Sequence, residues 1–214
     1  MRFLLVPVVA GAVLLGIWVT GGLVTDDFRV AMLLTGLWFG IAGLAATVVA
    51  WRRRSLALPV LGTYLVTALA AGGYLAYASM VDKVVDEKVA VAGQAGATAG
   101  RETAAAPPNV ALSRGLFTSG EHETAGKATV IRLGAGGRVL TLTDFATSPG
   151  PDLRVYLVTG DAADLGDVVD LGGLKGNKGD QQYELPASVD LNRHRTVVVW
   201  CRAFSVAFGS AALA

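Results

Sequence analysis

FLLVPVVAGAVLLGIWVTGGLV, residues 3–24, carries no charged side chain, and its reading sets the architecture of the chain. An α-helix of about 20 residues covers the roughly 30 Å hydrocarbon layer of a bilayer. This run reaches that length, and so do two more uncharged runs, residues 30–51 and 56–81. Lipid offers no partner to an open backbone, so such runs must become helices, with Pro7, Pro59, Gly72 and Gly73 tolerated inside them. Three transmembrane helices are therefore expected, over about residues 3–24, 29–51 and 56–80, within a membrane region 1–81. A buried helical core would need three such runs in succession, which a soluble domain of this size rarely contains. The first run is too long for the usual apolar part of a secretory signal, about 7–15 residues, and no A-x-A site closes it, so it reads as retained.

Basic residues give the orientation. Arg2 precedes the first helix and Arg52, Arg53 and Arg54 lie between the second and third, whereas the first loop holds Asp26, Asp27 and one Arg29. The positive-inside rule puts the N-terminus in the cytoplasm. Three crossings then place everything after about residue 80 outside the cytoplasm, in a multi-pass protein of the cell membrane whose first partner is the bilayer. Small residues (Gly36, Gly40 and Gly43, then Ala68, Ala71 and Gly72) favour close helix packing. The spans contain no ionisable side chain, so they read as an anchor rather than an ion path.

Elsewhere the composition is restrictive. The chain has 214 residues, a formal charge of +1, one cysteine and two histidines. Near-neutral charge argues against a nucleic-acid partner, and one cysteine excludes an intrachain disulfide and multi-cysteine metal sites. Residues 82–110 mix Ala, Gly and Thr and end in Pro107 and Pro108, which reads as a flexible linker. From residue 111 to 214, short alternating segments separated by Gly, Pro and Asp predict an all-β antiparallel sandwich or barrel-like domain. The predicted strands cover residues 116–117, 128–133, 138–145, 153–159, 182–185, 196–202 and 205–208, with a hairpin turn at GAGG, residues 134–137.

Cys201 is the candidate site. In TVVVWCRAF, alternation puts Val197, Val199, Cys201 and Ala203 on one face and Val198, Trp200, Arg202 and Phe204 on the other. An apolar face suits a buried small hydrophobe. An unpaired thiol outside the cytoplasm instead suits oxidation, an intermolecular disulfide or ligation, and a reactive thiol needs partial exposure and a positive neighbour. His122, and with less reason His194, could supply a second ligand. Asp161, Asp164, Asp167 and Asp170 recur every third residue, which misses the alternate-residue pattern of a calcium loop, so no metal is assigned. LGGLKGNKGDQQY, residues 171–183, lacks G-K-[ST] and precedes a strand, so it is not a phosphate loop. No base–nucleophile pair is legible, which disfavours a turnover enzyme.

The strings LFTSGEHETAGKATV, RVLTLTDFATSPGPDLRVYLV, LGGLKGNKGDQQYELP and TVVVWCRAFSVAFGSAAL make about residues 113–214 resemble the DM13 domain family. The resemblance implies a β-rich module for electron transfer at cell surfaces, with Cys201 as its redox group, either bare or ligating a haem. Trp200, Phe204 and Tyr183 become supporting aromatics, and Asp144 and Asp152 loop-holding carboxylates near the GPDL turn. The expected partner is an extracytoplasmic redox protein. The other reading is a binding or scaffold module of the cell envelope, in which Cys201 is only core.

Overall fold

The structure, a computed structural model, describes residues 4–24, 28–94 and 107–214. The chain forms two compact units: one contains the helices up to Met80 together with Arg202–Val206, the other Val81–Cys201 and Ala207–Ala214.

In the first unit, α1 (Leu5–Gly22), α2 (Phe28–Arg52) and α3 (Ala57–Met80) pack on one another, with a 3-10 turn Arg54–Leu56 ahead of α3. Two helices, Arg29–Arg52 and Arg54–Met80, are long and apolar enough to cross a membrane. The apolar helix at Leu5–Gly21 falls short of that length. The expected span of residues 3–24 is trimmed because Leu23, with φ −123° and ψ −20°, leaves the helical region. At about 1.5 Å per residue, the 18 residues of α1 rise only about 27 Å.

The residues at the close helix contacts differ in part from those the small-residue pattern picks out. Gly43 lies against Tyr64, whose hydroxyl donates to the Phe39 carbonyl at 2.7 Å, and Gly72 against Phe39. Gly36 and Gly40 face open space. The tightest approach is at Gly16, where a Cβ would fall 1.9 Å from the Trp38 ring, while Trp38 Nε1 donates to the Val13 carbonyl at 3.2 Å. Gly16→Ala is therefore expected to lower bundle stability by about 1–3 kcal/mol through overpacking. Gly36→Ala should leave it unchanged or raise it, since alanine is the better helix former. Thermal loss of helix ellipticity in micelles reads both, and equal effects would refute the contact.

Among the described residues the second unit holds nine strands: β1 (Val110–Leu116), β2 (Thr118–Ser119), β3 (Thr124–Arg132), β4 (Arg138–Thr147), β5 (Leu153–Val158), β6 (Val168–Gly173), β7 (Gln181–Leu185), β8 (Thr196–Cys201) and β9 (Val206–Ala212). They form two sheets, β1-β3-β4-β7 and β2-β9-β8-β5-β6. The registered pairs are antiparallel. The sheets stay separate, so the barrel alternative does not form. Core side chains come from both: Val130, Leu140 and Leu142 from the four-stranded sheet, and Val155, Leu157, Val197 and Val199 from the five-stranded one. β6 takes in the end of the aspartate series, where no strand is predicted from sequence. It is an edge strand, and Asp170 on it pairs with Arg154 at 2.8 Å, a charge of the kind that keeps a free edge from pairing with other chains.

Residues 82–94, read from composition as linker, are seated on the β unit. Val85 N–H donates to the Lys178 carbonyl and Glu87 N–H to that of Asp180, each at 2.9 Å. The Asp82 carboxylate takes Asn177 Nδ2 and pairs with Lys178, and Glu87 takes Lys175 Nζ at 2.8 Å and the Gln182 N–H at 3.0 Å. Asn109 ties the far end, accepting Gly93 N–H at its carbonyl and donating Nδ2 to Val91. Apolar periodicity is absent from this segment because backbone and carboxylate contacts hold it, and those leave no hydrophobic pattern. The remainder of the linker, residues 95–106, lies outside the described residues.

Candidate functional site

Cys201 closes β8, where its Cα is the cross-strand partner of Leu153 on β5. Val197, Val199 and Cys201 are each 0% exposed, but so is Val198 on the opposite face, and the strand ends at Cys201, so the alternation does not extend to Arg202, Ala203 and Phe204, which lie in the turn that follows. Cys201 is fully enclosed by the packing around it. Such packing makes the thiol inaccessible to bulk reagents in the closed state, in contrast to the partial exposure a reactive thiol needs.

The other sequence-selected residues spread around this point. Trp200 lies on the opposite face of β8 and stacks on Tyr156, with centroids 6.4 Å apart and planes at 24°. Together with Val158, Val198 and Leu165 they make a small apolar cluster. Phe204 is buried in the turn after β8. The His122 ring lies 3.9 Å from the Phe208 ring, in the loop before β3, where Thr124 Oγ1 reaches the Phe208 carbonyl at 3.0 Å. His194 Nδ1 sits 3.1 Å from the Asp190 carbonyl. Asp144 has φ +51° and donates its N–H to the Asp180 carboxylate at 2.8 Å, so here Asp180 is the residue that holds the loop. Asp152 is half-buried just ahead of β5.

Tyr183 is on β7, in the other sheet from Cys201. Burial pushes its phenol up to about 12, and the hydroxyl accepts the Lys175 N–H at 3.1 Å. It belongs to a polar cluster that the sequence reading missed. Gln181, 0% exposed, accepts at Oε1 from the Lys175 N–H at 3.1 Å and the Tyr183 hydroxyl at 2.8 Å, and donates Nε2 to the Gly176 carbonyl at 2.8 Å. Lys175 Nζ bridges from this cluster to Glu87 and holds that carboxylate below its usual range, with help from the Gln182 N–H. The glycines of LKGNKG could have pointed here, since glycine inside strand-flanking sequence marks close backbone approach.

The aspartate series divides among separate partners. Asp161 accepts the Ala163 and Asp164 N–H groups, Asp164 the Gly166 N–H, Asp167 pairs with Arg193, and Asp170 with Arg154. Among the described residues no group of three or more His, Cys, Asp or Glu side chains is arranged to hold a metal ion.

The geometry defines a two-sheet antiparallel domain with one cysteine sealed at a strand end. Residues 116–213 match the DM13 family, described as Electron transfer DM13. No curated protein and no solved structure matches the chain. A haem ligated by Cys201 does not fit these residues: the cysteine has no exposed surface, and the clefts described on this unit are lined by other side chains.

Proposed function

We propose that this chain is a membrane-anchored, extracytoplasmic electron-transfer module with Cys201 as its redox-active group. The match of residues 116–213 to an electron-transfer family carries the reading, together with the fact that Cys201 is the chain's only thiol. Anchoring is supported by the helices: Leu33, Leu44, Leu58 and Leu69 are all exposed on helices of membrane-spanning length, an arrangement that favours a lipid environment over water. The extracytoplasmic side is supported by the arginines between α2 and α3, which the positive-inside rule assigns to the cytoplasm.

The chemistry suited to a lone, buried thiol is gated thiol–disulfide exchange. Local opening at the end of β8 exposes Sγ, and strand ends open more readily than strand centres. The proton goes to solvent, the thiolate attacks one sulfur of a partner disulfide, the old S–S bond breaks and a new one forms to Cys201. The departing partner thiolate carries away the electron pair. A thiol donor reverses the step and restores Cys201.

Incubating the full chain in vesicles with glutathione disulfide tests this. The expected product is one mixed disulfide per folded chain, formed at a rate that becomes independent of oxidant concentration because opening limits it, and absent in Cys201→Ser. No adduct until denaturant is added would overturn it. That result would favour the scaffold reading, which the complete burial of Cys201 supports. In that case Cys201→Ala should only lower stability, by about 1–3 kcal/mol.

A further inference from the structure

A row of side chains crosses the end of the four-stranded sheet. Val110 on β1 stands opposite Arg132 on β3, Arg132 opposite Arg138 on β4, and Arg138 opposite Leu185 on β7. By alternation the row shares a face with Val130, Leu140 and Tyr183, all buried. Two arginines at directly opposed positions repel, and like charges so placed destabilise a strand pair. Pro107 and Pro108 complete a cleft of about 670 Å³ with the row and the glycine turn, and among the described residues no acidic side chain lines it.

The cleft is also held in shape. Arg138 Nη2 donates to the carbonyls of Pro186, Ala187 and Val189 at 3.0–3.1 Å, which fixes its guanidinium at the rim. Gly134 N–H donates to Asn109 Oδ1 at 3.0 Å, which pins the turn against the segment after Pro108. Gly136 and Gly137, at φ +97° and +87°, border open space.

We propose that this cleft binds an oxyanion, phosphate or carboxylate, carried on an apolar body. The oxyanion would lie between Arg132 and Arg138, held by the Arg132 fork and by the Arg138 N–H groups not given to the three carbonyls, where its charge offsets their repulsion. The prolines, Val110 and Leu185 supply the apolar walls. This assignment is independent of any role for Cys201.

Titration of the full chain in micelles with phenyl phosphate, followed by the amide resonances of Gly136 and Gly137, tests it. Saturable shifts are expected, with inorganic phosphate at least about tenfold weaker for lack of the apolar body and Arg132→Gln about tenfold weaker for loss of one charged donor. Benzoate in place of phenyl phosphate separates the two oxyanion classes, and either one binding upholds the site. Arg132→Lys should fall between wild type and Arg132→Gln, a gradation that loss of folding would not give. No saturable shift with either anion, equal binding by Arg132→Gln, or equal binding of phenylammonium would overturn the proposal. Equal affinity for inorganic and phenyl phosphate would overturn the apolar part of it.

Discussion

Gln181→Leu should destabilise the β unit by about 3 kcal/mol, the largest loss expected from a single polar substitution in this chain. The side chain is 0% exposed and serves four groups: the N–H of Lys175, the N–H of Gly176 at 3.3 Å, the Tyr183 hydroxyl and the Gly176 carbonyl. Leucine matches its size and supplies none of these bonds. Each buried group left without a partner costs its desolvation, about 1–3 kcal/mol. Loop relaxation towards water recovers part of the sum, so the expected total lies below simple addition. For a domain of this size the change corresponds to roughly 10 °C in Tm. Near-UV ellipticity of the full chain in micelles would read it, with amide exchange at Val155 and Val198 separating the β unit from the helices. A shift of under 2 °C would mean that the cluster fills space without holding the loop.

That cluster marks the limit of what the residues disclose in order. Alternation in TVVVWC puts Cys201 on the Val197 and Val199 side of β8, because strand periodicity depends only on neighbours in sequence, but Val198 is buried as well, so burial alone does not mark the core face. The GAGG turn likewise predicts the β3–β4 hairpin, and from it the opposition of Arg132 and Arg138 could have been counted out. β6 was hidden because VVDLGG carries a charge and two glycines that suit a loop as well as an edge. The site residues drawn from resemblance proved scattered: Tyr183 in one sheet, Cys201 in the other, Trp200 on the far face of β8. Which strands become neighbours depends on contacts between distant segments, and local patterns do not encode those. For the same reason the composition of residues 82–94 resembles a tether, although Glu87 and Asp82 find Lys175 and Lys178 more than 80 positions away.

Gly179→Ala should detach that strap. Gly179 has φ +96°, and a Cβ there would lie 1.9 Å from the Val85 carbonyl oxygen. The left-handed backbone alone penalises alanine by about 1–2 kcal/mol. The clash is with main chain, which cannot rotate aside, so relief requires residues 83–87 to move and to give up their bonds to Lys178 and Asp180. With each lost bond contributing about 1 kcal/mol, the expected destabilisation is about 3–4 kcal/mol. Fast amide exchange at Val85 and Glu87, and new proteolytic cleavage there, would accompany it. Acid should loosen the same strap in the wild-type chain. Glu87 titrates below its ordinary 4.5 because Lys175 and then the Gln182 N–H favour its ionised form, and Asp82 is lowered by Lys178 and Asn177. A group with a depressed folded pKa stabilises fully above its unfolded value, and that stabilisation is lost as pH falls through the folded one. Exchange at Val85 should therefore stay slow above about pH 5 and quicken below about pH 4, relative to Val155 in the same chain. Glu87→Gln should remove most of this pH dependence. A wild-type ratio flat from pH 6 to pH 3 would show that backbone bonds alone retain the strap.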